Sequence, residues 1–255
     1  MNSMNKMQQM HVFTSTTLLG SPQSITFVPS LSLLNKPSCV MLPGIDYTHA
    51  YYNGQDTVQV VWRNHQGTIQ FCGSAAYGIS YYLLHTYGLP HLTIQSPHIT
   101  LNAHYDSDVS LYIPSKPIAL TSQQSFEYGR LYHHADSGIY FLELEDKEAV
   151  EQIYWTESDL CALPLQNPHG LCLFYWHSST KTGYVRYFTP WYGRVEDSVT
   201  GSIQSYLTPF VANLYGSNSQ SWIQCSQNGG FIKSYFMGDK VRIQGSCHYE
   251  EHGLL

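Results

Sequence analysis

Short runs of alternating apolar and polar residues dominate this chain and predict a largely β structure. In the run 57–63, Val58, Val60 and Trp62 fall on one face of a strand and Gln59 on the other, because side chains alternate along a strand. Gly, Pro, Asn and Ser bound these runs, as is typical of strand ends. The predicted strands include Met10–Thr14, Ser24–Val28, Thr57–Arg63, Gly67–Phe71, Thr93–Ile94, Ser110–Ile113, Gly129–His133, Gly138–Leu144, Leu171–His177, Val185–Phe188 and Lys240–Ile243.

Three stretches carry helical signals instead. They are Ser74–Tyr87, Ser202–Leu214 and the short, polar Lys147–Ile153. Glycine stands just before and just after each of the two longer stretches, which is a common boundary signal. Pro209 lies inside the second stretch and is expected to kink it or to limit its regular part.

The two long helices are preceded by similar sequences. Each follows a predicted strand and a Gly-Ser pair, Gly73-Ser74 in one case and Gly201-Ser202 in the other. The two pairs stand half a chain length apart in a chain of 255 residues. This spacing indicates a duplicated unit, although Gly-Ser is common enough at helix starts for the two to be unrelated.

Composition excludes several classes of function. The net charge is -6 and the 12 basic residues are scattered, which argues against a nucleic-acid groove or an anionic membrane patch. No apolar run approaches the roughly 18 residues of a membrane span, and Met1–Met10 lacks the apolar core of a signal peptide. A cytoplasmic protein is therefore expected, with its 6 cysteines reduced. The 13 histidines show no ligand spacing, and no metal is expected.

The two predicted helix starts are candidate anion-binding sites. N–H groups at a helix start lack partners and meet the positive end of the helix dipole. The candidate substrate-binding residues are therefore Gly73, Ser74, Thr200, Gly201 and Ser202. Since serine is also a good N-cap residue, helix capping alone is the alternative.

Three side chains near these starts could carry chemistry. Cys72 precedes the first helix, a position that can lower the pKa of a thiol; a buried packing cysteine is the alternative. Asp197, in an acidic pair before the second helix, could accept an amine or hydroxyl of a ligand, or could belong to a solvated loop. Asp46 lies before a strand-like segment and is by itself an ordinary loop carboxylate.

A longer motif links these residues to a known family. The segment Phe188–Ser202 resembles the signature F-[ST]-P-x-x-G-x-x-E-D-x-x-T-G-S of the PhzF phenazine-biosynthesis-like family, which belongs to the diaminopimelate epimerase-like superfamily. Phe71–Ala75 resembles its F-x-G-H-[AP] motif, and the opening His11–Thr14 and the late Val241–Gly245 resemble its first and last strands. The resemblance covers nearly the whole chain.

The resemblance implies a fold. It predicts an α+β protein of two pseudo-symmetric halves, each a rolled, mostly antiparallel sheet around a central helix, with the active site between them. We expect the halves to be residues 1–107 and 108–245, with the tail 246–255 returning to the first half. The family also implies a homodimer that uses no cofactor.

The resemblance also implies roles for single residues. In a family isomerase a glutamate moves a proton between two carbons, assisted by a histidine and an aspartate. Asp197 matches the aspartate, Ser74 stands where the histidine is expected, and Asp46 lies near the glutamate position with different neighbours. Cys72 matches the first of the two thiols of diaminopimelate epimerases and proline racemases, and the second half has no cysteine there. The expected catalytic residues are therefore Asp46, Asp197 and Cys72.

Two functions follow from these comparisons. The first is a cofactor-independent isomerase or epimerase that transfers a proton at a carbon beside the carboxylate of a small substrate. The second is a non-catalytic ligand-binding or scaffolding protein on the same fold, suggested by the loss of the histidine at Ser74. For the first function, Asp46 and Asp197 should approach the same cleft as Gly73 and Gly201, since a general base must reach its proton.

Overall fold

A computed structural model describes residues 6–36, 41–42, 44–119 and 124–249, in which strands far outnumber helices. The helices are α1 (Gly73–Tyr87), α2 (Lys147–Gln152), α3 (Glu157–Ala162) and α4 (Gln204–Tyr215). The first strands are β1 (Lys6–Thr14), β2 (Ser21–Phe27), β3 (Asp46–Tyr52), β4 (Thr57–Asn64), β5 (Gly67–Ile69), β6 (His91–Gln95), β7 (Thr100–Tyr105) and β8 (Val109–Pro114). The later strands are β9 (Gln124–Phe126), β10 (Gly129–His134), β11 (Ile139–Glu143), β12 (Gly170–His177), β13 (Thr182–Thr189), β14 (Arg194–Glu196), β15 (Ser219–Gln224), β16 (Gly230–Phe236), β17 (Lys240–Gln244) and β18 (Ser246–Tyr249). Each strand predicted above overlaps one of these, and the predicted α+β class is confirmed.

The order of strand pairing is the same in the two halves of the chain. In the first half β1–β2 is antiparallel, β2–β3 parallel, β3–β4 and β4–β5 antiparallel, β4–β6 parallel, and β6–β7 and β7–β8 antiparallel. The same series recurs for β10–β11, β11–β12, β12–β13, β13–β14, β13–β15, β15–β16 and β16–β17. Helix α1 follows β5 and helix α4 follows β14. The two halves are therefore pseudo-symmetric, as the paired Gly-Ser sequences suggested.

Two strand pairs connect the halves. Strand β8 pairs antiparallel with β17, with Ile113 opposite Val241, and β18 returns to pair antiparallel with β1. The expected boundary between residues 107 and 108 falls in the turn between β7 and β8 and would assign β8 to the second half, whereas the repeated pairing order places β8 with the first half; the boundary stays a prediction. Of the expected returning tail, residues 250–255 lie outside the described residues.

Helix α1 is surrounded by sheet. Ala76, Tyr77 and Ile79 are fully buried, and a Cβ on Gly78 would lie 2.9 Å from the Val12 side chain of β1. Small residues on this helix thus let the strand approach closely. The helix runs from Gly73 to Tyr87, one residue longer at its start than predicted.

The start predicted for the second long helix is wrong. Helix α4 begins at Gln204 rather than Ser202, because residues 201–203 form tighter turns. In them the N–H of Gln204 donates to the Gly201 carbonyl at 3.3 Å and that of Ser205 to the Ser202 carbonyl at 3.1 Å. The Gly201-Ser202 pair therefore lies just outside the α-helix.

Pro209 does not end helix α4. Proline has no N–H to donate to the carbonyl four residues earlier, which here belongs to Ser205. The backbone N–H of Lys116 donates to that carbonyl at 2.7 Å instead. Because the carbonyl of Ser205 accepts this hydrogen bond, the missing N–H of Pro209 leaves no unsatisfied group, and the helix continues to Tyr215.

Helix α2 confirms the predicted short helix, whereas α3 was not predicted. The signal for α3 is a capping box in which the Thr156 side chain accepts from the backbone N–H of Asp159 and the Asp159 carboxylate accepts from that of Thr156. An Asp at the third position replaces the more usual Glu or Gln. In the described ranges no helix is long and apolar enough to cross a membrane.

Tyr77 provides a test of this packing. Its hydroxyl accepts from the backbone N–H of Gly245 at 2.9 Å and lies 2.6 Å from the carbonyl of the same residue, tying α1 to the link between β17 and β18. Tyr77→Phe leaves these buried backbone groups unsatisfied and should lower the free energy of unfolding by about 1–3 kcal/mol, measured by urea denaturation. The matched change Tyr87→Phe, on the exposed end of the same helix, should stay within about 0.5 kcal/mol. Equal effects of the two changes would contradict the packing described.

Candidate active site

The two Gly-Ser pairs lie against each other between the halves. A Cβ on Gly73 would lie 2.4 Å from the backbone nitrogen of Ser202 and 2.7 Å from the carbonyl carbon of Gly201, so only glycine permits this approach. The Ser74 hydroxyl donates to the Val199 carbonyl at 2.6 Å and accepts from the N–H of Gly201 at 3.3 Å. The hydroxyl of Ser74 is thus engaged in joining the halves.

Cys72 and Thr200, the residues just before the two Gly-Ser pairs, stand at the two ends of a series of polar contacts. The Sγ of Cys72 lies 3.6 Å from Oδ2 of Asp46, and the hydroxyl of Thr200 donates to Oδ2 of Asp197 at 2.6 Å. Arg194 lies between the carboxylates, with Nη2 2.9 Å from Oδ1 of Asp46 and Nη1 2.5 Å from Oδ1 of Asp197. These five residues form the acid–base chain of the site.

Neighbouring strands fix the two carboxylates. Asp46 is the first residue of β3, is 7% exposed, and stands opposite Gln23 of β2, whose Nε2 lies 3.5 Å from Oδ2 of Asp46. The loop of Asp197 is held by Gln224 at the end of β15. Its Nε2 donates to the Asp197 carbonyl at 2.7 Å and its Oε1 accepts from the N–H of Thr200 at 2.8 Å.

Glu196 and Asp197, the acidic pair of the signature, bind different partners. The side chain of Glu196 forms a two-bond ion pair with Arg186, at 2.7 and 2.9 Å. This pair holds β13 and β14 together and takes no part in the acid–base chain. Only Asp197 of the acidic pair reaches Arg194.

The charged groups of the acid–base chain shift one another's pKa values. Burial raises the pKa of Asp46 above its usual value, the neighbouring guanidinium of Arg194 opposes the shift, and the carboxylate of Asp197 adds to it. Burial by itself would lower the pKa of Arg194, but the carboxylates of Asp197 and Asp46 outweigh it and raise that pKa. Arg194 therefore stays charged, and Asp46 is the member of the chain that most readily takes up a proton.

Of the two interpretations of Cys72, the buried cysteine agrees better with its surroundings than a thiol activated by the helix start. Burial, and next the carboxylate of Asp46, raise the pKa of this thiol well above its usual value. The sulfur is also engaged as the cap of α1, accepting from the N–H of Ala75 at 3.4 Å. At neutral pH Cys72 is a protonated thiol, which can donate a hydrogen bond to the carboxyl group of Asp46 but is a poor nucleophile.

Sequence reasoning found four of the five members of the chain. The structure brings Asp46, Cys72, Asp197 and Thr200 together, beside the two Gly-Ser pairs, and none of the four lies on the outer surface. Arg194 was missed because it occupies an unspecified position of the signature. A signal was present, since it is one of only 12 basic residues and stands three positions before an acidic residue. Within the described part of the chain no group of three His, Cys, Asp or Glu residues could hold a metal.

Sequence comparisons relate this chain to named proteins. No family model matches the chain. The phenazine biosynthesis-like domain-containing protein of Bos taurus is 37% identical over 73 residues, which are 28% of this chain and 25% of that protein, and its Homo sapiens counterpart is 43% identical with the same coverage. An uncharacterized isomerase of Vibrio cholerae is 28% identical over 177 residues, which are 68% of this chain and 62% of the isomerase. The matches thus span a quarter of the first two relatives and under two thirds of the third.

Solved structures share the fold over nearly the whole chain. A putative phenazine biosynthesis PhzC/PhzF protein of Clostridium difficile superposes with a TM-score of 0.80 over 98% of both chains at 18% identity. A PhzF family protein of Enterococcus faecalis gives 0.78 over 95% of both at 18% identity. A probable proline racemase of Agrobacterium radiobacter gives 0.55 over 98% of this chain and 93% of its own at 10% identity. Together the comparisons confirm the diaminopimelate epimerase-like fold and the resemblance to the PhzF-like family.

Gly73 tests the contact between the two pairs. In Gly73→Ala the new methyl group meets backbone atoms of the other half, which cannot rotate away, and overpacking should lower the free energy of unfolding by about 3 kcal/mol. The control Ser202→Ala, in the same contact, removes only a hydroxyl and should cost less than about 0.5 kcal/mol. Chemical denaturation measures both, and a Gly73→Ala protein as stable as the control would refute the close approach.

Cys72 tests the electrostatics. Since only the thiolate reacts, iodoacetamide at pH 8 should alkylate Cys72 at least about tenfold more slowly than the exposed Cys161, followed by peptide mass spectrometry. Asp46→Asn removes the neighbouring carboxylate, lowers the pKa of the thiol and should speed its alkylation. The exposed control Asp106→Asn should leave the rate unchanged. A Cys72 that reacts as fast as Cys161 would mean that its pKa is not raised.

Proposed function

We propose that this chain, which has the fold of the PhzF-like family and resembles it in sequence, is a cofactor-independent isomerase acting on a small substrate that bears a carboxylate. The observation that carries the proposal is the convergence of Asp46, Cys72 and Asp197 beside the contact of the two Gly-Ser pairs. Asp46 comes from one half and Asp197 from the other, so the proposed reaction site lies where the halves meet.

Asp46 is the group proposed to move the proton. A general acid–base needs a pKa closer to neutrality than that of an exposed carboxyl group, and burial raises the pKa of Asp46 in that direction. Its Oδ2 also lies within 3.6 Å of a protonated thiol. Asp46 would give a proton to one carbon of the substrate and take one from another, which returns its carboxyl group to the starting protonation state.

The geometry argues against a racemisation in which Cys72 and Asp46 act as the two bases. Two groups that invert one carbon must each reach it from opposite faces, which separates them by roughly 6 Å. Cys72 and Asp46 are in direct contact at 3.6 Å and cannot flank a carbon in this way. Moving a proton between two carbons on one face requires only a single such group.

The carboxylate of the substrate would lie at the start of α1 and near Arg194. The N–H groups of Gly73 and Ser74 belong to the first turn of that helix and have no partner within it, and such groups favour anions. The Ser74 hydroxyl is not proposed as a ligand, because it bridges Val199 and Gly201. Thr200, Gly201 and Ser202 remain proposed substrate-binding residues on the side of the second half.

Names of similar proteins support the enzyme class. The Vibrio cholerae relative is named an isomerase, and a structural neighbour from Pseudomonas aeruginosa with a TM-score of 0.61 is named a predicted epimerase. The absence of a cofactor, a homodimer and a cytoplasmic location remain predictions for this chain.

A non-catalytic binding protein is the second candidate, and one observation favours it. Both carboxylates are already paired with Arg194, and serine replaces the expected histidine at position 74. An aspartate held in an ion pair is a weaker base, since the paired cation favours its charged form. A protein that binds carboxylates without turnover would have such a site.

Deuterium exchange separates the two candidates. We expect a panel of cyclic and amino-substituted carboxylates in deuterium oxide, followed by proton NMR, to reveal a compound that gains solvent deuterium at carbon. Asp46→Asn should slow that exchange by at least about 100-fold, the usual contribution of a general acid–base, while Asp106→Asn leaves it unchanged. Saturable binding without exchange across the panel would favour the binding protein.

A further inference from the structure

The acid–base chain carries more negative than positive charge. Two carboxylates, Asp46 and Asp197, share the single guanidinium of Arg194, and among the described residues no other ion pair reaches either aspartate. A carboxylate ligand would bring a third negative charge into a partly buried site. Because unpaired buried charge is costly, such a ligand can bind well only if one aspartate leaves the guanidinium and loses its charge.

Asp197 is the more firmly held of the two. Besides Arg194, its side chain accepts the Thr200 hydroxyl at 2.6 Å, and its backbone carbonyl accepts from Gln224 at 2.7 Å. Charge-assisted hydrogen bonds of this length favour the ionised carboxylate. Asp197 therefore keeps Nη1 of Arg194.

Asp46 is held loosely outside its contact with Arg194. Its other neighbours are Nε2 of Gln23 at 3.5 Å and the thiol of Cys72 at 3.6 Å, both at the limit of hydrogen bonding. The side chain lies in a largely buried position, where the neutral form of a carboxyl group costs less than the charged form. Of the two aspartates, Asp46 is therefore the one that can leave Arg194.

Gln23 offers an acceptor for the proton of a neutral Asp46. Gln23 is 2% exposed, and its Oε1 is buried without a hydrogen-bond partner. Rotating the amide about its last bond exchanges Nε2 for Oε1 beside Asp46, which lets Oε1 accept from a protonated carboxyl group. The Ser21 hydroxyl, now 3.0 Å from Nε2, can donate to the rotated Oε1.

We propose that Arg194 selects carboxylate ligands by exchange: the ligand carboxylate replaces Asp46 on Nη2 of Arg194, and Asp46 takes up one proton from solvent. The proposal rests on the carboxylate substrate proposed above and adds a residue and an order of events to it. Asp46 then enters the reaction as the acid. It gives its proton to one carbon and takes one back from another, so that the site ends in its starting protonation state.

Acetate is the probe of choice, because a small carboxylate makes little demand on cavity size. Its affinity is measured from the amide shifts of Gly73 and Thr200 in a series of buffers from pH 4 upward on the ¹⁵N-labelled protein and is calculated for the ionised form of acetate at each pH, with acetamide as the neutral control. The groups facing Asp46 are Gln23, Cys72, Arg194 and Asp197. Cys72 stays protonated and Arg194 charged over this range, and the proposal assigns the titration to Asp46.

Linkage to one proton gives a defined result. Above the pKa of Asp46 in the free site, the acetate affinity should fall on the order of tenfold per pH unit, because each binding event then requires proton uptake. Below that pKa the affinity should be constant. Asp46→Asn, a permanently neutral stand-in, should bind acetate with an affinity that no longer changes with pH, and Asp106→Asn should behave as the unaltered protein.

Substitution of Arg194 completes the test. Arg194→Gln should weaken acetate binding at least about 30-fold, as expected for loss of one partner of a buried charge pair, and Arg194→Lys should retain part of the affinity. If Arg194→Gln fails to fold, the pH profiles of Arg194→Lys and Asp46→Asn decide. An acetate affinity independent of pH in the unaltered protein, or unchanged in a folded Arg194→Gln, would overturn the exchange.

Failure of this exchange can be told apart from failure of the isomerase proposal. Acetate binding requires no turnover. Proton-linked acetate binding without deuterium incorporation into any substrate would support the replacement of Asp46 by the ligand and argue against the isomerase. Deuterium exchange together with pH-independent acetate binding would do the reverse.

Discussion

The close approach of Gly73 to the Gly201-Ser202 backbone is the constraint on which the site depends. Any side chain at position 73 would meet backbone atoms of the other half at under 3 Å, so the distance between the halves is set by bare backbone. The residues just before each pair, Cys72 and Thr200, are thereby brought to the same region. The Ser74 hydroxyl bridges the contact, which gives the residue at the expected histidine position a role in assembly.

Arg194 partly neutralises the negative charge of Asp46 and Asp197. A largely buried aspartate is costly unless it is paired or neutral, and the guanidinium pairs Asp46 with Asp197 across the interface between the halves. Because the same cation also opposes the rise in the pKa of Asp46, it limits the chemistry that it supports. Stability and reactivity therefore depend on one residue, which lies outside the fixed positions of the family signature.

The repeated topology does not extend to the chemistry. Cys72 and Thr200 stand at equivalent positions before the two glycines, yet the thiol caps α1 directly, while the threonine hydroxyl binds a carboxylate and α4 begins several residues later. A site with a thiol on one side only cannot work as a symmetrical pair of thiol bases. The asymmetry agrees with a single carboxyl group moving a proton between two carbons.

Alternation along the sequence predicted most of the strands, glycines predicted the ends of the two long helices, and a local motif predicted half of the site. Asp197 and Thr200 are three positions apart in a motif, so their contact follows from local spacing, and alternation along a strand needs no knowledge of the fold. Only the packing of the two halves brings the distant partner Asp46, 148 positions away, to Arg194. This packing also decided the sign of the shift at Cys72, because the effect of a helix start on a thiol is local, whereas burial and the charge of Asp46 exist only once the halves have packed.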